Sequence, residues 1–148
     1  MIAVDTNILV YAHREDSQFH VEALNAMRGL ADGDRRWAIP WPCVHEFISI
    51  VTHPGIYQPP SPLDIAVRAM KIWIESSMCV CIGEGAGYFD RLADVAAHGK
   101  SVGPMIHDAR IAAICLHNGV QELWTLDRDF SRYRGLSAVN PLLRGKAR

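Results

Sequence analysis

The stretch Met1-Ile-Ala-Val-Asp5-Thr6-Asn7-Ile-Leu-Val10 decides the fold that this sequence predicts. Its first four residues are apolar, as in a short buried strand, and the strand stops at the carboxylate of Asp5. Thr6 and Asn7 suit the start of a helix, which the apolar residues after them continue. A strand that runs directly into a helix indicates an α/β protein.

The rest of the chain repeats this alternation. Apolar periodicity predicts helices over about 19–30, from Pro42 onward, over 63–74, over about 86–97 and over 107–117. Short strands are predicted at 37–40, 78–82 and 123–125, and the wholly apolar 78–82 segment is typical of a strand that is covered on both faces. We therefore expect a sandwich of helices around a mainly parallel sheet.

Composition excludes several classes of protein. The 148 residues are 49% hydrophobic and 21% charged, which is typical of one globular domain and not of a disordered or fibrous chain. No apolar run approaches the roughly 18 to 20 residues of a membrane span, and Asp5 interrupts any signal-peptide pattern. We expect a cytoplasmic protein with no membrane contact.

Charge and cysteine usage add two further expectations. The formal net charge is -1, so the whole molecule presents no basic field, but residues 130–148 contain five basic side chains and no acidic one. The segment at about 141–148 is accordingly predicted to be a short basic tail, which either improves solubility or contacts phosphate. The four cysteines lack the C-x-x-C spacing of metal or redox sites and are predicted to be buried free thiols.

Four carboxylates occupy positions that the fold should bring together. Asp5 and Asp127 each follow a predicted strand, whereas Glu46 and Asp108 are expected in the first turns of helices. Because ligands gather at the carboxyl ends of parallel strands, where helix N-termini also converge, we expect the four acids to share one pocket.

A shared pocket of acids needs a compensating charge, since neighbouring carboxylates raise one another's pKa. Mg²⁺ suits all-oxygen ligation and would leave room for a phosphate oxygen and a water, which favours metal-assisted hydrolysis of a phosphate ester. Each acid also has a structural interpretation. Asp5 and Asp108 could cap or favour helix starts, Glu46 could be a solvated helix residue, and Asp127 and Asp129 could form turns.

These segments together resemble the PIN-domain ribonucleases, and most closely the VapC-type toxins of bacterial toxin-antitoxin pairs. The similarity rests on Val4-Asp5-Thr6-Asn7, on Glu46, on His107-Asp108-Ala109 and on Thr125-Leu-Asp127-Arg-Asp129-Phe130, in that order along the chain. It implies one PIN-like three-layer α/β sandwich over residues 1–148. It also implies a Mg²⁺- or Mn²⁺-dependent endoribonuclease with an RNA substrate, an antitoxin partner and a homodimeric state.

The resemblance further assigns residue roles. Asp5 and Asp108 match the principal metal-binding acids, Glu46 the glutamate that completes the site, and Asp127 the fourth acid. Thr6, Asn7 and Thr125 match supporting polar groups. Asp129 is a second possibility for the fourth acid, and Asp127 is preferred because it lies closer to the strand end.

Two other functions remain open at this point. A phosphatase of the haloacid dehalogenase type also begins with a strand that ends in aspartate, but Asn7 stands where its second aspartate would be. A non-catalytic domain that binds RNA or a protein partner is the other alternative, against which the full set of acids argues. Candidate contacts to an RNA backbone are Arg110, Arg128 and the basic C-terminal end.

Overall fold

The computed structural model describes residues 1–143, which form strands and helices in alternation. The strands are β1 (Ile2–Val4), β2 (Trp37–Pro40), β3 (Cys79–Ile82), β4 (Glu122–Trp124) and β5 (Ser137–Val139). The α-helices are α1 (Thr6–His13), α2 (His20–Ala31), α3 (Trp41–Val51), α4 (Leu63–Ile74), α5 (Tyr88–His98) and α6 (Met105–His117). Two short 3-10 helices, Arg128–Arg132 and Pro141–Leu143, flank β5.

The sheet has the order β3-β2-β1-β4-β5, and each neighbouring pair is parallel. From the central strand β1 the chain builds outward through β2 and β3, and it later returns to the other side of β1 to add β4 and β5. The strand order therefore reverses between β1 and β4. In such sheets the crevice at the carboxyl ends of the two strands beside this reversal is the usual ligand site.

Helices flank the sheet and bury its two faces. Helix α1 packs against α2 and α3, while α5 packs against α6. Fully buried side chains from the strands and the helices form a common core, which includes Val4, Ile8, Met27, Trp37, Ile39, Phe47, Ile114, Leu123 and Phe130. The predicted three-layer α/β architecture with a parallel sheet is confirmed.

Strand β3 is less covered than its sequence suggests. It lies at one end of the sheet, and Cys79, Val80 and Cys81 are half-buried. The expectation that residues 78–82 are covered on both faces is therefore wrong, because full burial reaches only Ile82 in this strand at the end of the sheet. All four cysteines are free, as predicted, but Cys43 and Cys115 are buried and the two in β3 are half-buried.

Helix α3 begins earlier than its apolar pattern indicates. Pro40 is the N-cap and Pro42 lies within the first turn, so Glu46 is the sixth helical residue. The prediction that Glu46 lies in a first turn is wrong, because the tight passage from β2 into α3 starts the helix at Trp41. Asp108, by contrast, lies in the first turn of α6, as predicted.

The predicted basic tail and the predicted absence of a membrane span are the remaining expectations from the sequence. In the predicted basic tail at about 141–148, residues 144–148, including Arg144, Lys146 and Arg148, lie outside the described residues. Among residues 1–143, none of the helices combines the length and the hydropathy that a membrane crossing requires.

Candidate active site

A cavity of about 280 Å³ opens at the carboxyl edge of the sheet, where β1 and β4 end. Asp5, Glu46, Asp108 and Asp127 all line it, so folding brings together the four acids that the sequence singles out. Asp129 is not part of the lining. A carboxylate oxygen of Asp129 nevertheless lies within 4.8 Å of one from Asp108 and one from Asp127.

Asp5 is the most buried acid of this group, with 5% of its surface exposed. It is the N-cap of α1, and its Oδ1 accepts a hydrogen bond of 2.8 Å from the backbone N–H of Thr6. Its Oδ2 accepts a second bond, of 2.7 Å, from Thr125 Oγ1. The helix-cap interpretation is therefore correct as geometry, and the same carboxylate also faces the cavity. Both oxygens are held in fixed positions.

Thr6 connects Asp5 to Glu46. Its hydroxyl donates a hydrogen bond of 2.7 Å to Glu46 Oε2, across 40 residues of sequence. This bond fixes the side chain of a residue in the second turn of α3 at the cavity that also contains Asp5. Glu46 is accordingly not a freely solvated helix residue.

Thr125 connects Asp5 to the loop that follows β4. Its backbone N–H donates to Val139 O at 2.9 Å, and its Oγ1 accepts bonds from the Asp127 N–H at 3.0 Å and from Asn7 Nδ2 at 3.3 Å. Asn7 Oδ1 in turn accepts a bond of 3.4 Å from the Leu126 N–H. Asn7 thus supports the loop after β4, and an amide in that position cannot supply the second acid of the phosphatase alternative.

Asp127 combines the turn and the cavity interpretations. Its Oδ1 accepts a hydrogen bond of 2.8 Å from the Asp129 N–H and caps the 3-10 helix Arg128–Arg132. Asp129 itself is exposed and lies 3.9 Å from the Arg132 guanidinium. Geometry therefore leaves both acids available as the fourth acidic group, with Asp127 nearer to Asp5 along the Thr125 network.

Burial and neighbouring carboxylates raise the pKa values of two acids in the cavity. Burial, opposed by the hydrogen bonds from Thr125 and Thr6 and reinforced by Glu46 and Asp108, raises the pKa of Asp5 to about 6. Burial also raises the pKa of Asp108, and the charges of Asp127, Asp129 and Glu46 add to this effect, while Arg132 opposes it. The nearby Arg110 is engaged with Glu84 at 2.6 Å.

This donor set fits a hard divalent cation. Carboxylate oxygens within 4.8 Å of one another are offered by Asp108, Asp127 and Asp129. Asp5 and Glu46 add two further carboxylates to the lining of the cavity. Oxygen-only donors favour Mg²⁺, Mn²⁺ or Ca²⁺ over metals that prefer sulfur or imidazole. A bound cation would stabilise the ionised forms of Asp5 and Asp108, whose pKa values are raised by burial and, to a smaller extent, by neighbouring carboxylates.

The PIN domain family model matches residues 2–136, which is most of the chain. The chain belongs to the PIN domain family. It is 32% identical to Ribonuclease VapC43 of Mycobacterium tuberculosis over 143 residues, which cover 96% of each protein. It is also 27% identical to Ribonuclease VapC48 of the same species over 137 residues, which are 93% of this chain and 94% of that relative.

Solved structures of the family share the fold of this PIN domain. VapBC2 from Rickettsia felis, bound to a DNA fragment from its promoter, matches with a TM-score of 0.68 and 19% identity over 94% of this chain and 98% of that one. VapC20 of Mycobacterium tuberculosis, a toxin that cleaves the sarcin-ricin loop, matches with a TM-score of 0.63 and 18% identity over 93% and 99% of the two chains.

Several cavity residues were not identified from the sequence. The lining of the cavity also includes Tyr11 and Tyr57, and Cys43 Sγ lies 3.7 Å from Asp5 Oδ1. Tyr57 belongs to the proline-rich connection between α3 and α4, where neither periodicity nor a motif marks a functional position. Tyr11 occurs in an apolar helical stretch and gives no signal that distinguishes it from core residues.

The raised pKa of Asp5 predicts a pH-dependent stability. A carboxyl group whose pKa is about 6 when folded and 3.8 when unfolded binds more protons in the folded state between these values. The free energy of unfolding therefore decreases as the pH rises through this window. In buffer with a chelator, we expect Asp5→Asn to remove part of this decrease, on the order of 2 kcal/mol between pH 4 and pH 7. Urea unfolding at both pH values measures it.

Asp90→Asn is the matched control, since Asp90 is exposed on α5 and outside the cavity. This variant should show the same pH dependence as the wild type. If Asp5→Asn and Asp90→Asn change the pH dependence of the free energy of unfolding equally, ionisation of Asp5 does not destabilise the folded protein.

Proposed function

We propose that this PIN domain is a divalent-cation-dependent endoribonuclease and the toxin of a toxin-antitoxin pair. The observation that carries the proposal is the meeting of Asp5, Glu46, Asp108 and Asp127 in one cavity at the strand-order reversal. The similar proteins named VapC ribonucleases, which align over nearly the whole chain, support RNA as the substrate.

In this proposal Asp5 and Asp108 hold the cation, and Glu46 and Asp127 complete the site. Mg²⁺ is the proposed ion, with Mn²⁺ as a substitute of the same ligand preference. When bound, the cation offsets the charge of the scissile phosphate and makes a nearby water more acidic. Hydrolysis then breaks the bond to the 3′ oxygen, which leaves a 5′-phosphate and a 3′-hydroxyl.

The residues of the chain contribute orientation. Thr125 and the Thr6 N–H occupy both oxygens of Asp5, so this carboxylate cannot rotate away from the cavity. The Thr6 hydroxyl bonds to Oε2 of Glu46, which leaves Oε1 to accept a hydrogen bond from an attacking water. Fixed donors and acceptors cost no reorganisation during the reaction, and this is the source of their effect on rate.

Cation binding gives the first test. Mn²⁺ and Mg²⁺ should raise the melting temperature, and for a Kd of about 1 mM the addition of about 10 mM cation stabilises the fold by about 1.4 kcal/mol. We expect Asp108→Asn to melt higher than the wild type without cation, since it relieves repulsion, and to lose most of the cation-induced shift. Differential scanning calorimetry with and without each ion measures both effects.

Asp90→Asn again serves as the control and should keep the full shift in melting temperature. A cation-induced shift that is the same in wild type, Asp108→Asn and Asp90→Asn would place the bound ion elsewhere on the protein.

Cleavage of RNA gives the second test. Asp5→Asn, Glu46→Gln and Asp108→Asn should each lower kcat by at least about 100-fold while the fold persists, because each removes a charge from the cation site. Comparing Asp127→Asn with Asp129→Asn identifies the fourth acid, for which we expect the larger loss at Asp127. The measurement is the rate of appearance of new 5′-phosphate ends in an RNA pool.

Circular dichroism should show an unchanged fold in these variants, and Asp90→Asn should cleave at the wild-type rate. Full activity in either Asp5→Asn or Asp108→Asn contradicts the assignment of these residues to the cation.

The proposal includes protein partners. Similar structures from Rickettsia felis and Salmonella typhimurium are VapBC assemblies with DNA, which supports a VapB-type antitoxin as the partner of this chain. We place both proteins in the cytoplasm together with the RNA. A homodimer is the proposed state of the toxin, and it is supported by exposed apolar residues on α4, of which Leu63 and Ile72 are 63% and 62% exposed.

Light scattering tests the homodimer. We expect the wild type to have the mass of two chains and Ile72→Glu to shift toward the mass of one, because a buried charge at an apolar interface is costly. Val21→Glu is the control, since Val21 is 64% exposed on α2. If Val21→Glu dissociates into single chains while Ile72→Glu remains a dimer, the interface lies on α2 and not on α4.

A further inference from the structure

The cavity is lined by two chemically different kinds of side chain. Besides the acids, the lining contains apolar and aromatic side chains, namely Val10, Tyr11, Ile50, Tyr57, Ile111 and Phe130. Acids that hold a cation explain how a phosphate group is bound, but they do not explain the aromatic lining. A nucleotide has the same division, with a charged phosphate and a flat base.

Tyr57 is held in its place by a series of contacts. The guanidinium of Arg14 lies over its ring, with Cζ 4.4 Å from the ring centroid. Arg14 is itself fixed by Asp16, whose two carboxylate oxygens accept bonds of 2.9 Å from Nε and 2.7 Å from Nη2. This paired geometry orients the guanidinium plane. The ring therefore does not depend on its own loop alone for its orientation.

The loop that carries Tyr57 is also attached to the end of α1. Arg14 Nη1 donates to Ser61 Oγ at 3.2 Å, and the same hydroxyl lies 2.9 Å from His13 Nε2. Ser61 is buried, and its N–H donates to Val51 O at 2.8 Å. The loop is thus hydrogen-bonded to the ends of both α1 and α3.

We propose that Tyr57 is a specificity residue, on which one unpaired RNA base next to the scissile phosphate stacks, and that Arg14 is its positioning residue. This inference rests on the proposed ribonuclease function and adds the site of base contact. The guanidinium occupies one face of the Tyr57 ring, and Tyr57 lines the cavity, so the other face is the one on which the base stacks in this proposal. Single-stranded RNA is commonly bound by stacking on aromatic side chains.

The test compares two probes that differ only in their bases. A short single-stranded oligouridylate and an abasic ribose-phosphate chain of equal length are titrated against the protein in Ca²⁺. We expect the wild type to prefer oligouridylate about tenfold. Tyr57→Leu should abolish the preference by weakening the binding of oligouridylate alone, and Tyr57→Phe, which keeps the ring, should restore it.

Two further variants test whether Arg14 positions the Tyr57 ring and whether loss of an aromatic residue elsewhere has the same effect. Arg14→Gln should reduce the preference for bases without changing the affinity for the abasic chain, because the acids and the bound ion still hold phosphate. Phe89→Ala is the control, since Phe89 is an aromatic residue on α5, 76% exposed and outside the cavity. It should behave as the wild type does.

Cleavage kinetics with Mn²⁺ provide the second measurement. Tyr57→Leu should raise KM about tenfold and leave kcat within about threefold, since stacking contributes to binding and does not touch the reacting atoms. If the wild type cleaves RNA but Tyr57→Leu retains the wild-type KM and base preference, the stacking proposal is wrong and the ribonuclease function stands.

Two other outcomes would contradict the stacking proposal. A wild type that neither binds nor cleaves either probe contradicts both the stacking proposal and the proposed function. If Tyr57→Leu keeps its base preference but loses the co-expressed antitoxin in a pull-down, Tyr57 contacts protein, and its assignment to RNA is overturned.

Discussion

The burial of a carboxylate, Asp5, close to other carboxylates is the constraint on which this structure depends. The core could be completed by apolar groups at the strand ends, yet the chain places Asp5, almost fully buried, beside Glu46 and Asp108. Burial, reinforced by the charges of Glu46 and Asp108, raises the pKa of Asp5 to about 6, which is an energetic cost at neutral pH. The fold tolerates this cost because hydrogen bonds from Thr6 and Thr125 compensate part of it. A divalent cation is the natural counter-charge for the remainder.

The same hydrogen bonds explain why the site is preorganised. The bond between Asp5 and Thr125 spans 120 positions of sequence and joins the ends of the two strands beside the strand-order reversal. Thr6 extends the network to α3 through Glu46, and Asn7 extends it to the loop that carries Asp127. Short polar side chains after β1 therefore organise three separate parts of the chain. Acids that would otherwise separate are kept in one cavity.

The cavity combines two kinds of lining side chain. The oxygen donors suit a phosphate and its cation, whereas the aromatic lining, with Tyr57 held by Arg14 and Asp16, suits a flat and uncharged group. Such a lining would allow a protein with a formal net charge of -1 to act on a polyanion, as the proposed function requires. Attraction to nucleic acid then depends on local contacts and a bound ion, and not on a basic surface.

The sequence by itself determined the alternation of strands and helices, the burial of the strand that precedes Asp5, and the order of the four acids, because these depend on local periodicity and on the residues that end each element. It did not predict β5, which is three residues long and exists because β4 offers it an edge. It also misplaced Glu46 within its helix, since the start of α3 is set by the exit from β2. Only the tertiary structure decided that Thr125 bonds to Asp5, that Asp129 lies near Asp108, and that Tyr57 lines the same cavity as the acids. Contacts between residues so far apart in the chain depend on how the layers pack, and no local pattern in the sequence encodes them.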